Sequence, residues 1–234
     1  MLVRVTRRLL DWPSIERVLI NIDRPELLDS LPEIVLWRSE GRLEVVSSTD
    51  SPSRSVLASL DRLDLDTGPI LVTTADHALL DDAMLQSFFA ASNSSSADLS
   101  LALVPRSRIE ARFPETRRTY LRFQGEAYSG ANLFYFRSPA ARGAAVFWQR
   151  VEGLRKRPWR IARAFGLRNL VRFLMRRLTL EEAFVQVSRV LGIRVEAIPL
   201  PQAEAAVDVD KLDDLVLVRK ILAERRIAAG HATG

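Results

Sequence analysis

The stretch Pro69-Ile-Leu-Val-Thr-Thr-Ala-Asp-His-Ala-Leu-Leu80 is an apolar run that ends in an acidic residue, Asp76. Pro69 to Val72 is β-branched, too short for a helix and preceded by Gly68, which predicts a buried parallel strand. A carboxylate just past the carboxyl end of such a strand lies where open α/β sheets bind ligands. As a hard-cation ligand it could hold Mg²⁺ against the phosphates of a nucleotide. The same position also suits a residue that only caps the following turn, and this stretch alone leaves both readings open.

Other clusters carry similar potential. Ser51-Pro-Ser-Arg-Ser55 precedes a predicted helix, and a helix start favours anions, so Arg54 and Ser55 could contact a nucleotide; a plain serine N-cap is the competing reading. Tyr128-Ser-Gly-Ala-Asn132 falls within a predicted strand. Gly130 there marks close approach of a ligand or another backbone, and Asn132 offers a donor and an acceptor to a hydroxylated substrate; a β-bulge with a satisfied amide is the alternative. In Val207-Asp-Val-Asp-Lys-Leu-Asp-Asp214, Asp208 and Asp210 point to the same side of an extended stretch and could complete a divalent-metal site with Asp76. Asp210 is also a natural N-cap for the last helix, with Asp213 in its first turn, whereas Asp208 has no such structural duty.

The elements that must position these residues alternate. A helix is expected over Leu2 to Trp12, a strand over Arg17 to Ile22, and short strands over Ile34 to Trp37 and Leu43 to Val46 around Gly41. A helix follows over Ser53 to Leu63, then the Asp76 strand, a helix from Asp81 or Asp82 to about Ala91, and a strand over Leu99 to Val104. Thr119 to Phe123 and Ala127 to Arg137 read as paired strands. Residues 139–191 read as largely helical, broken at Pro158 and Gly166, with a capping box at Thr179-Leu-Glu-Glu182. A strand over Val195 to Leu200 and a helix over Asp214 to Ala229 close the chain, and the tail 230–234 is expected to fray. The pattern predicts one α/β domain over 1–234, a mostly parallel sheet flanked by helices, with a basic helical insertion at 138–192.

Composition narrows the chemistry. The 234 residues are 47% hydrophobic, enough for a substantial core. The absence of cysteine removes disulfides, thiolate metal sites and a cysteine nucleophile, and fits a cytoplasmic location. No apolar run reaches the ~18–20 residues needed to cross a bilayer, and the amino-terminal sequence lacks the pattern of a signal peptide. Residues 150–177 hold ten basic residues and one acid, Glu152, so that segment carries +9 and the rest −4.

The order of the S-x-R-S-V helix, LVTTADHALL, SGANLF and AVDVDKLDDL resembles the MobA-like NTP transferases, nucleotidyltransferases with a glycosyltransferase-A-like, nucleotide-diphospho-sugar transferase fold. The resemblance covers about residues 1–106, 128–137 and 203–222. It implies transfer of a nucleoside monophosphate from an NTP to a phosphorylated acceptor, with Mg²⁺ and release of pyrophosphate. Asp76 then matches the metal-binding aspartate, and Asp208 with Asp210 the carboxy-terminal acidic motif. Ser55 matches the serine near the nucleobase, with Arg54, Thr74 and Ala75 among the nucleotide contacts. Gly130 and Asn132 lie where the acceptor is held. The family opens with a strand and a glycine-rich loop that grip the triphosphate, whereas here the first glycine is Gly41 and Met1-Leu-Val-Arg-Val-Thr6 matches the helix after that loop. Met1 is therefore read as an internal methionine with the true start upstream; the alternative is a degenerate, non-catalytic member.

The basic segment stands outside the family pattern. Arg168, Arg172 and Arg176 fall at i, i+4, i+8 on one stripe, opposite Leu170, Val171, Phe173, Leu174 and Leu178. A solvated helix face is the first reading, an anionic acceptor site the second, and peripheral contact with an anionic membrane the third. Nucleic acid is not expected as a partner, since no binding motif accompanies the charge. A catalytically impaired protein docking an acidic partner or membrane through 150–177 is thus the alternative to an enzyme.

Overall fold

The computed structural model describes residues 1–116, 118–152 and 166–231. Its strands are β1 (Val18–Ile22), β2 (Leu43–Ser47), β3 (Ile70–Thr73), β4 (Leu99–Pro105), β5 (Leu121–Arg122), β6 (Ala127–Phe136) and β7 (Val195–Pro199). Its helices are α1 (Leu2–Leu10), α2 (Pro32–Ser39), α3 (Pro52–Leu63), α4 (Asp82–Ser94), α5 (Arg106–Arg112), α6 (Arg142–Glu152), α7 (Leu167–Leu174), α8 (Leu180–Leu191) and α9 (Leu212–His231).

Among the described residues the strands form two sheets. β1 and β2 pair in parallel, and the second sheet has the order β3-β6-β4-β7, with β5 on β6. β6 is antiparallel to β3, β4 and β5, while β4 and β7 are parallel. β3, β4, β5 and β7 therefore share one direction and β6 alone opposes them.

Alternation on the strands separates two faces. Ala102 and Val104 of β4, with Leu133 and Tyr135 of β6, pack against Leu85, Phe88 and Phe89 of α4 and against Val5 and Leu9 of α1. Leu99, Leu101, Phe134 and Phe136 face the other way, onto Leu60 of α3, Ala144 and Ala145 of α6 and Phe184 of α8. The result is a helix–sheet–helix sandwich, the α/β class expected from alternating elements. α6 and α8 of the 138–192 region belong to that layer, whereas Phe173 of α7 packs on Phe123, ring centroids 5.6 Å apart. α8 opens with the expected capping box, Thr179 accepting from the Glu182 N–H and Glu182 accepting from the Thr179 N–H.

Three sequence expectations are corrected. Ile34 to Trp37 lies in helix α2 and not in a strand. Pro32 is pre-set for the first helical turn, Glu33 suits the positive end of the helix dipole, and Ile34 and Trp37, three apart, are its buried pair. β3 is not buried by parallel neighbours; it is bonded to antiparallel β6, and Leu71 to Thr73 stay partly exposed. Arg168, Arg172 and Arg176 do not form one helical stripe. α7 stops at Leu174, Arg176 has a φ of +55°, and Arg172 is tied to Glu182 at 2.7 Å. Much of the basic segment, 153–165, and the end of the tail lie outside the described residues.

Candidate active site at the carboxyl end of β3

Asp76 sits just past β3, in a turn closed by the His77 N–H on the Thr74 carbonyl (3.3 Å) and the Ala78 N–H on the Asp76 carbonyl (2.8 Å). The Thr74 hydroxyl donates to the Asp76 carboxylate. The Asp76 carbonyl in turn accepts from the Val209 N–H at 3.3 Å. That bond fastens the Asp208–Asp210 stretch to the end of β3, although the two are far apart in sequence.

Asn132 reaches the same place from β6. Leu101 and Leu103 of β4 face Phe134 and Gly130 of β6, so β6 bulges between them. Asn132 takes a φ of +49° in that bulge, a left-handed conformation that asparagine tolerates better than most residues. The bulge aims its amide at Asp208, with Nδ2 donating to Oδ2 at 3.4 Å. Of the two readings of the sequence, the bulge is present, whereas a Cβ at Gly130 would meet nothing within 4 Å, so no described group approaches it closely.

Arg118 is the principal residue that sequence reasoning missed. Its side chain is 10% exposed, and it donates to Asp208 Oδ1 at 2.7 Å and to Asp214 Oδ1 at 2.9 Å. No motif signals it; it precedes β5 in a loop, and only the fold brings it to the carboxylates. Asp210 lies in their field. Its carboxyl is pushed above the usual range, first by Asp208, then by burial and by Asp76 and Asp214, with Arg118 opposing. Asp210 is not the cap of α9, which begins at Leu212 with Asp213 and Asp214 in its first turn.

The start of α3 forms the second part of the site. Ser51 is the N-cap, accepting from the Arg54 N–H at 3.3 Å, with Pro52 in the first turn. Arg54 pairs at the surface with Asp50 at 2.7 Å. The buried Ser55 hydroxyl accepts from the Thr49 N–H at 2.9 Å, which stitches the β2–α3 loop. Ser55, Thr74 and Ala75 all line one cavity of about 610 Å³ between β1 and β3. The structure thus gathers Asp76, Asp208, Asp210 and Asn132 in one group, with Gly130 two residues upstream on β6. Ser55, Thr74 and Ala75 lie along the adjoining edge, while Arg54 stays at the surface with Asp50 and does not line the cavity.

His77, beside Asp76, is buried, 1% exposed, and neither ring nitrogen has a hydrogen-bond partner. Burial lowers its pKa from 6.5 to about 4, against the pull of Asp76, Asp208 and Asp81. A folded-state value below the unfolded one means that the unfolded chain takes up the proton first as pH falls. Stability is therefore full above about pH 6.5 and is lost as pH falls towards 4, by about 3 kcal/mol across that window. Urea denaturation at pH 7 and pH 4.5 reads this directly. His77→Leu should flatten the profile, and an equally steep loss in that variant would assign the dependence to other groups.

Asp76, Asp208 and Asp210 offer carboxylate oxygens, the atoms a hard cation takes, and Asp208 also holds Arg118 and Asn132. Among the described residues no three Asp, Glu, His or Cys side chains converge closely enough to hold an ion by themselves. Mg²⁺ is ordinarily held by one or two carboxylates together with substrate phosphates, and Asp76 with Asp208 fits that pattern.

The chain shares its fold with solved transferases. It is 26% identical to a hypothetical transferase from Thermus thermophilus, at a TM-score of 0.67 over 85% of this chain and 99% of that one. It superposes on 4-diphosphocytidyl-2C-methyl-D-erythritol synthase from Anaerococcus prevotii at a TM-score of 0.58, with 8% identity over 95% and 86% of the two chains. For the 2-C-methyl-D-erythritol 4-phosphate cytidylyltransferase of Francisella tularensis the values are 0.56, 12%, 93% and 85%. The last two are likenesses of fold. No protein-family model and no curated protein matches the sequence. No helix among the described residues is long and apolar enough to cross a membrane.

Proposed function

We propose that this protein is a nucleotidyltransferase that moves a nucleoside monophosphate from an NTP to a phosphorylated small-molecule acceptor. The observation that carries the reading is the tether between Val209 and Asp76, which sets Asp208 beside Asp76 at the carboxyl end of β3. An acceptor phosphate oxygen attacks the α-phosphorus in line. The new P–O bond forms as the bond to the β-phosphate bridging oxygen breaks, and pyrophosphate leaves with the electron pair. Asp76 and Asp208 would hold Mg²⁺, which would supply neutralisation of phosphate and leaving-group charge. Arg54 and Ser55, with Thr74 and Ala75, position the nucleotide; Gly130 leaves room for the acceptor, and Asn132 orients it. Arg118 fixes Asp208 so that one carboxylate oxygen keeps its direction. Asp210 adds negative potential, which favours a divalent cation.

Thermal unfolding with each of the four NTPs, with Mg²⁺ or with chelator, tests the nucleotide site. A ligand at about 100 times its Kd stabilises the native state by about 2.7 kcal/mol, equivalent to roughly 5–10 °C for a chain of this size. The expected result is such a shift with one nucleotide, abolished by chelation. A midpoint unmoved by all four would count against the reading.

A further inference from the structure

We infer that α7 docks on an anionic lipid surface, its outward apolar face entering the headgroup boundary and its arginines meeting lipid phosphates. The contacts that hold α7 fix which side faces outward. Phe173 meets Phe123 of the β5–β6 hairpin, ring centroids 5.6 Å apart, and just beyond the helix the Leu178 carbonyl accepts from the Gln124 N–H at 2.8 Å. Arg172 donates to Glu182, at the start of α8, at 2.7 Å. Val171, Leu174 and Met175, spaced three and four apart, share the side away from Phe173. They are 43%, 70% and 54% exposed. Single apolar residues on a surface need no explanation, but a surface helix ordinarily turns its apolar stripe inward, and α7 turns these three residues out.

Positive charge borders this face. Arg168 lies one turn before Val171, and Arg176 and Arg177 follow Met175 directly; all three are exposed. Residues 166–178 hold four arginines and no acidic residue, within a segment, 150–177, that carries +9. Among the described residues Arg172 is paired with Glu182, whereas Arg168, Arg176 and Arg177 pair with no carboxylate.

The occupant follows from the two chemistries together. A free phosphate answers the arginines and leaves Leu174 in water. An acidic protein would have to bring carboxylates and also a matched apolar pocket for side chains that project from a convex helix. A bilayer boundary presents phosphates in one plane with hydrocarbon about 5–10 Å beneath, and it takes up such side chains without a matched shape. Arginine suits that boundary, since its stem lies along apolar groups while the guanidinium grips a phosphate. Asp76 and Asp208 take no part, so the inference stands apart from the proposed reaction.

The test is co-sedimentation of the 234-residue chain with vesicles of phosphatidylcholine alone and of phosphatidylcholine mixed with phosphatidylserine. The expected result is at least roughly tenfold stronger partitioning onto the mixed vesicles, weakening as added salt shortens the Debye length from about 10 Å towards 3 Å. Two double substitutions separate the contributions. Arg168→Glu with Arg177→Glu should cut binding roughly 100-fold. Leu174→Ser with Met175→Ser leaves the charge untouched and should cut it roughly tenfold. All four positions are exposed, so both proteins should keep the parent's thermal midpoint. Equal binding to the two kinds of vesicle, or binding to neither, overturns the inference. So does full retention by the Leu174→Ser, Met175→Ser protein, because attraction would then be charge alone. Binding to soluble polyglutamate as tightly as to mixed vesicles also overturns it, and assigns the surface to an acidic protein.

Discussion

Asp76→Asn is expected to lower metal-dependent pyrophosphate release by roughly 1000-fold. The substitution keeps the size of the side chain and can still accept from the Thr74 hydroxyl, so the turn after β3 should survive. What it removes is the negative charge that binds the cation at the point where phosphate charge must be neutralised. A substitution of the same kind at the exposed Asp82, which pairs with Arg8 at 2.8 Å, serves as the comparison and should leave turnover unchanged. Activity of the Asp76→Asn protein within tenfold of the unsubstituted one at saturating Mg²⁺ would remove Asp76 from the mechanism.

Arg118→Met is expected to destabilise the fold by about 2–3 kcal/mol, read from urea denaturation at neutral pH. The guanidinium bridges Asp208 and Asp214, which are 29% and 19% exposed in their side chains. Without it two partly buried carboxylates face Asp210 and Asp76 with no cation between them, and removing one partner of a desolvated pair costs more than the pair contributed. The methionine keeps much of the packed stem, so the loss reports charge and not volume. Divalent cation should recover part of it, because a bound ion supplies the missing positive charge. A variant as stable as the parent chain in chelator would show that the bridge is solvated and of little energetic consequence.

The reading of the basic segment changes with the structure. Its strongest sequence feature was an arginine stripe on a single helix, yet Arg176 lies beyond the end of α7 and Arg172 is held by Glu182. Leu174 and Met175, 70% and 54% exposed, remain next to these cations.

The sequence by itself determined the local elements and the residues that cap them. Ser51 and Asp81 cap α3 and α4, Thr179 opens α8, and apolar periodicity marks β1, β4, β6 and β7. These follow from interactions within a few residues, which is why spacing reveals them. The order of four motifs also carried the fold class, since three sit at element ends that the α/β arrangement uses and SGANLF lies on β6. Ile34 to Trp37 escaped because a short apolar run suits both a strand and a buried helix face, and Pro32 alone tips it. Only the tertiary structure decided that Arg118 bridges Asp208 and Asp214, that His77 is buried, that Asn132 meets Asp208, and that β1 and β3 flank a cavity of about 610 Å³. Each depends on groups tens of residues apart meeting across packed layers, and such contacts are set by how the elements stack, which local spacing does not encode.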